Sequence, residues 1–186
     1  MGLFGGSFNP IHNGHIALAR QLREAAGLDE VWLMVSPQNP LKQQAGLLAD
    51  DLRLQLAQQA VQDEPHIRVS DYEFHRPKPS YTWNTLQALR QDFPDTEFVL
   101  MMGGDNWQHF SRWYRADDIV RNYSLVVYPR RGSNIDTTTL PPNVQLVEAT
   151  LLDISSTSIR HHIRHGLPVT GMVPTAIEAA VTAYYQ

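Results

Sequence analysis

Gly2-Leu3-Phe4-Gly5-Gly6-Ser7-Phe8-Asn9-Pro10-Ile11-His12-Asn13-Gly14-His15 is the stretch on which the reading of this chain turns. A short apolar run ends in paired glycines, and shortly afterwards two histidines stand three residues apart around Gly14. The run predicts a buried strand over 2–5. The periodicity that follows predicts a helix over 15–26, stopped near Gly27. A spacing of three puts both imidazoles on one side of a helix start. Unpaired amide hydrogens and a partial positive charge at that start attract phosphate. Donors aimed at charge that develops during reaction are how phosphoryl-type transfer is accelerated. An isolated His-x-x-His is usually a bland loop pair; joined to a strand-end glycine loop, it points to chemistry.

Outward from there, apolar runs predict strands over 31–36, 67–70, 98–102, 125–128 and 144–147. Helical periodicity predicts helices from Asp50 or Asp51 as a cap to 62, and over 82–91, 116–121, 156–165 and 175–184. The stretch 132–143 is polar and carries no recognisable chemistry. Strands alternating with helices imply an α/β fold: a doubly wound, Rossmann-like parallel sheet with helices on both faces, in a single domain over 1–186. Met102-Gly103-Gly104-Asp105 is a second strand end with paired glycines. Ligands of such sheets sit beyond the carboxyl ends, where the winding reverses. If the two glycine-ended strands are neighbours, the crevice between them is the site. The competing reading is that these glycines only serve tight turns.

Composition narrows the classes. The chain has 186 residues, 42% hydrophobic and 18% charged, ordinary values for a globular protein. It has no apolar run long enough to span a membrane. The first residues show neither the basic region nor the apolar stretch of a leader, and the early strand leaves a trimmed start open. With no cysteine, disulfides, thiolate catalysis and thiolate-bound zinc are excluded, which fits a reducing cytoplasm. A net charge of −4 argues against a nucleic-acid partner. Lys42 and Lys78 are the only lysines; the other basic residues are arginines, whose planar fork suits phosphate and carboxylate.

Ile154-Ser155-Ser156-Thr157-Ser158-Ile159-Arg160 is a second constellation. Hydroxyls before an apolar-periodic segment are helix-cap chemistry, the plainer reading; the same groups, with Arg160 one turn in, can hold terminal phosphates. Neither the dinucleotide fingerprint nor the P-loop occurs. His161 and His165 are four apart, but a solvated helix face explains them better than a metal. Trp32, Trp83 and Trp107 read as core or pocket wall, and Trp113 as part of the site. Arg130-Arg131 follows a strand end and either reaches the ligand or forms an exposed turn.

Together, His12-Asn13-Gly14-His15 and 154–160 resemble the nucleotidyltransferase superfamily. Asn39-Pro40-Leu41-Lys42, Pro79-Ser80-Tyr81-Thr82, Gly103-Gly104-Asp105 and Trp113-Tyr114 make the chain most similar to bacterial nicotinate-nucleotide adenylyltransferases. The resemblance implies that the phosphate of nicotinate mononucleotide attacks the α-phosphorus of ATP. Pyrophosphate leaves and deamido-NAD forms, with Mg²⁺ required and no covalent intermediate. It implies catalytic roles for His12, His15, Lys42 and Arg160. ATP would meet Gly5, Gly6, Ser7, Phe8, His12, His15, Gly103, Asp105, Ile154, Ser155, Thr157 and Arg160. The acceptor would meet Asn39, Lys42, Tyr81, Thr82 and Trp113, with the Trp113 ring on the pyridine; no side chain is assigned as a metal ligand. Two departures stand out: Asn9 replaces a common aspartate, and Leu41 replaces a common histidine, which weakens the case for Lys42. Alternatives are a sister enzyme using nicotinamide mononucleotide or phosphopantetheine, a non-catalytic nucleotide sensor, and, weaker, a redox dinucleotide-binding module. Oligomeric state is not legible.

Overall fold

A computed structural model of the chain describes residues 1–37, 46–130, 132–133 and 135–186. Six parallel strands form one sheet in the order β3-β2-β1-β4-β5-β6. They are β1 (Gly2–Gly6), β2 (Val31–Val35), β3 (Ile67–Ser70), β4 (Val99–Gly103), β5 (Ser124–Tyr128) and β6 (Val144–Leu146). The helices are α1 (Asn13–Ala25), α2 (Asp50–Ala60), α3 (Thr82–Asp92), α4 (Gly104–Gln108), α5 (Ala116–Asn122), α6 (Ser156–Arg164) and α7 (Thr175–Tyr185). The doubly wound α/β expectation holds.

The winding reverses between β1 and β4, the two strands that end in paired glycines. Side chains on a strand alternate between faces, so each strand feeds two cores. Phe4, Met101 and Val126 pack with α1, α2, α6 and α7 on one face. Leu3, Leu100 and Leu125 pack with α3 and α5 on the other. Both faces are covered, which is why the strands read as continuous apolar runs. No helix among the described residues is long and apolar enough to cross a membrane.

Several boundaries and one cap differ from expectation. Helix α1 starts at Asn13 and stops where Gly27 adopts a left-handed φ of 62°, a conformation glycine takes without penalty. Helix α2 is not capped by Asp50 or Asp51: Ala49 holds the cap position and both acids lie in the first turn. The Asp50 carboxylate is drawn instead to Arg53, one turn on in the same helix, at 2.5 Å. Helix α4 was not expected. Its end is held by packing, with Trp107 stacked on Phe110 at 5.2 Å. The 132–143 stretch contains a short 3-10 turn, Thr137–Thr139, capped by Asp136.

Candidate active site

Beyond the carboxyl ends of β1, β2, β4 and β5 opens a cavity of about 970 Å³. That is the upper range for ligand pockets and suits a pair of small substrates. The glycine loop, the first turn of α1, the start of α3, the end of β4 and the start of α6 all contribute to its wall.

The two histidines meet as their spacing predicts. His12 is the N-cap of α1 and His15 lies in its first turn, with rings stacked 3.6 Å apart. The His12 backbone N–H donates to His15 Nδ1 at 3.3 Å. With Nδ1 accepting, the proton of a neutral His15 ring stands on Nε2 and makes that nitrogen the donor. The edge of Phe8 backs His15 at 5.0 Å. Phe8 itself has a φ of 44°, a left-handed conformation that costs a bulky residue energy and is held by its burial at 2% exposure. Gly14 leaves room for the His12 ring: a Cβ there would lie 3.0 Å from His12 Nδ1, a tight contact to which the ring would have to give way. A Cβ on Gly5 would meet nothing within 4 Å, so this position leaves the cavity floor open.

His12 is only 5% exposed, and burial, then the nearby positive charge of Arg130, pushes its pKa down to about 4. The folded protein therefore binds this proton less readily than the unfolded chain, whose histidine titrates near 6.5. The stability this contributes is present above pH 6.5 and is lost as pH falls toward 4, on the order of 3 kcal/mol in full. Burial raises the Glu73 pKa, and that group acts with the opposite sign, its contribution fading as pH rises. Urea melts of wild type and His12→Gln across pH 4–7 isolate the histidine. The wild type should lose stability more steeply with acid; parallel curves would refute the assignment.

The remaining expected residues divide by what the structure does with them. Ile154, Ser155, Thr157 and Arg160 all line the cavity. Ser155 also performs the plain capping role, accepting from the Ser158 N–H at 3.0 Å. Arg160 donates to the Asn9 carbonyl at 2.5 Å and to Thr157 Oγ1 at 3.3 Å, so its charge is anchored beside the glycine loop. Tyr81, Thr82 and Trp113 line the opposite wall. Asp105 Oδ2 lies 3.4 Å from Arg130 Nη1. Gly103 and Gly104 make room chiefly for protein. A Cβ on the first would come within 2.5 Å of Asp105 Oδ1, and on the second within 2.5 Å of Ser133 Oγ. Asn39, Lys42 and Arg131 lie outside the described residues.

Asn9 has a use unrelated to phosphate. Its amide donates to the Gly46 carbonyl at 3.0 Å, while its oxygen accepts from the Leu48 N–H at 3.1 Å and from the Tyr185 hydroxyl at 2.7 Å. An aspartate could not make the first of these bonds. His161 and His165 sit 4.1 Å apart at the end of α6, and no cluster of three ligating side chains occurs among the described residues.

Sequence reasoning passed over Glu73, Thr85 and Ser36, which line the cavity, and the buried Arg53 behind it. Arg53 carried a signal: with Leu56, Ala57 and Ala60 it completes the buried stripe of α2, an unusual place for a charge. Arg130, left open between ligand and turn, lines the cavity.

The comparisons with known proteins agree on kinship. The family model described as cytidylyltransferase-like matches residues 3–162. A protein of Bacteroides fragilis named probable nicotinate-nucleotide adenylyltransferase is 50% identical, over 95% of this chain and 88% of that protein. One of Cytophaga hutchinsonii with the same name is 41% identical, over 100% of this chain and 97% of its own. Among solved structures, a Plasmodium falciparum nicotinic acid mononucleotide adenylyltransferase complexed with APC superposes with a TM-score of 0.77. It is 18% identical, over 98% of this chain and 96% of its own, a likeness of fold. The chain belongs to the cytidylyltransferase-like family and, within it, to the nicotinate-nucleotide adenylyltransferases.

Proposed function

We propose that residues 1–186, as one nucleotidyltransferase domain, transfer AMP from ATP to nicotinate mononucleotide, releasing pyrophosphate and forming deamido-NAD. One observation carries this reading at the level of the site. Four buried polar side-chain atoms lack a hydrogen-bond partner among the described residues: His12 Nδ1, Ser80 Oγ, Asp105 Oδ1 and Trp113 Nε1. All four residues line the same cavity. Orphaned polar atoms cost free energy, and their convergence fits a polar ligand that completes them.

His12, His15 and Arg160 face the ATP phosphates, with Ile154, Ser155 and Thr157 at the same end and Gly5, Gly6, Ser7 and Phe8 forming and backing the floor. Gly103 and Asp105 take the ribose. Tyr81, Thr82 and Trp113 form the acceptor wall; Asn39 and Lys42, which the resemblance gives to the acceptor, lie outside the described residues. The acceptor phosphate is already ionised at neutral pH, so no general base is needed. Catalysis is positioning plus donors for the charge that grows on the leaving pyrophosphate. Mg²⁺ fits as a companion of the ATP oxygens, because this ion keeps water and substrate phosphates and needs no protein cage. It would neutralise phosphate charge. The partners are small molecules, and the reaction belongs in the cytoplasm, where ATP is available.

The test is pyrophosphate release from ATP with nicotinate mononucleotide, nicotinamide mononucleotide or phosphopantetheine at equal concentration. A pocket built for a carboxylate leaves donors unpaired around the amide, so the acid should be preferred by about tenfold or more. Calorimetric ATP binding with no pyrophosphate from any acceptor would instead make the protein a sensor.

A further inference from the structure

Glu73 is 5% exposed, lines the cavity and is not used by the transfer. Its two oxygens reach in different directions. One accepts from Ser36 Oγ and the other from Thr85 Oγ1 at 2.7 Å. Ser36 follows directly on β2, and Thr85 lies in the first turn of α3, whose N-cap is Tyr81.

The Ser36 side of this bridge continues to the glycine loop. The Ser36 N–H donates to the Gly6 carbonyl at 2.9 Å. The fully buried Arg53 donates through Nη1 to the Ser36 carbonyl at 3.1 Å and to the Ser7 carbonyl at 2.5 Å. A continuous set of hydrogen bonds therefore runs from the loop on the ATP side to the helix start on the acceptor side. Packing alone would not call for a carboxylate here, since burying an acid is costly unless its bonds are specific. Burial does raise the pKa of Glu73, and the two hydroxyl donors offset part of that rise.

We infer that Glu73 is a positioning residue, which fixes the first turn of α3, and with it Tyr81 and Thr82, against the carboxyl ends of β1 and β2, where the glycine loop begins. It sets the distance between the acceptor wall and the ATP wall. The inference rests on the adenylyl-transfer reading for the naming of the two walls.

Full-length Glu73→Gln, Thr85→Val and Ser36→Ala are compared with wild type by steady-state kinetics and by calorimetric titration with each substrate. Thr85→Val keeps the side-chain shape and removes only the hydroxyl. It should raise KM for nicotinate mononucleotide about tenfold, the scale of one hydrogen bond to a charged group, and leave KM for ATP within about twofold. Glu73→Gln should shift in the same direction. Glu73→Gln combined with Thr85→Val should be no worse than the more impaired single variant, because both remove one bridge. A lowered melting temperature with both KM values unchanged, or equal weakening for both substrates, overturns the role. A wild type that binds the two nucleotides but releases no pyrophosphate overturns the adenylyl-transfer reading instead. The calorimetric split between substrates then still decides the bridge.

Discussion

Replacing His15 by alanine lowers pyrophosphate release at least about a hundredfold, the scale of losing one donor aimed at a transition state. His15 Nδ1 accepts from the His12 backbone N–H, which makes Nε2 the donor nitrogen of the neutral ring. Its ring is held between the stacked His12 and the edge of Phe8, so the donor is fixed before substrate arrives. Alanine removes the donor and half of the stack. Because the interaction matters most as charge develops, kcat should carry most of the loss and KM for ATP should change little. His15→Gln, whose amide can reach toward the Nε2 position, should recover part of the rate. Turnover of the alanine variant within a few-fold of wild type would remove His15 from the mechanism.

The largest effect on stability is expected at Arg53. This side chain is 0% exposed and donates to the carbonyls of Ser7, Ser36 and Leu48 while pairing with Asp50 at 2.5 Å. Methionine would fill much of the volume but leave those carbonyls unpaired and the carboxylate without its cation. Removing one partner from such a buried set costs about 3–5 kcal/mol. For a chain of this size that is a fall in melting temperature of about 10 °C. Arg53→Lys keeps the charge but loses the planar fork, so it should fall between the two. Thermal melts by circular dichroism read this directly. A methionine variant melting within about 2 °C of wild type would mean the network is dispensable.

The periodic patterns were legible because they report burial along one element. The short continuous apolar runs placed the six strands, and the helical stripes placed α1, α2, α3, α5, α6 and α7 within a few residues of their observed bounds. Helix α4 escaped because Gly104-Asp105-Asn106 has little intrinsic preference for helix; its order comes from Trp107 on Phe110. The Asp50 cap was misread for a related reason. Aspartate at a helix start is favoured as a cap, but here its carboxylate is held by an arginine one turn on that must itself be buried.

The sequence by itself determined the parallel sheet, the glycine-ended strands and the histidine pair at a helix start, because all of these depend on residues close together in the chain. Tertiary structure alone decided that Asn9 secures Leu48 and Tyr185, that Arg53 reaches back to Ser7 and Ser36, and that Glu73 joins Ser36 to Thr85. Those partners lie on different elements, and only packing around the segments that follow β1 and β2 brings them within hydrogen-bond distance. Local pattern carries the period of burial, whereas a buried polar group is defined by whichever distant atom satisfies it.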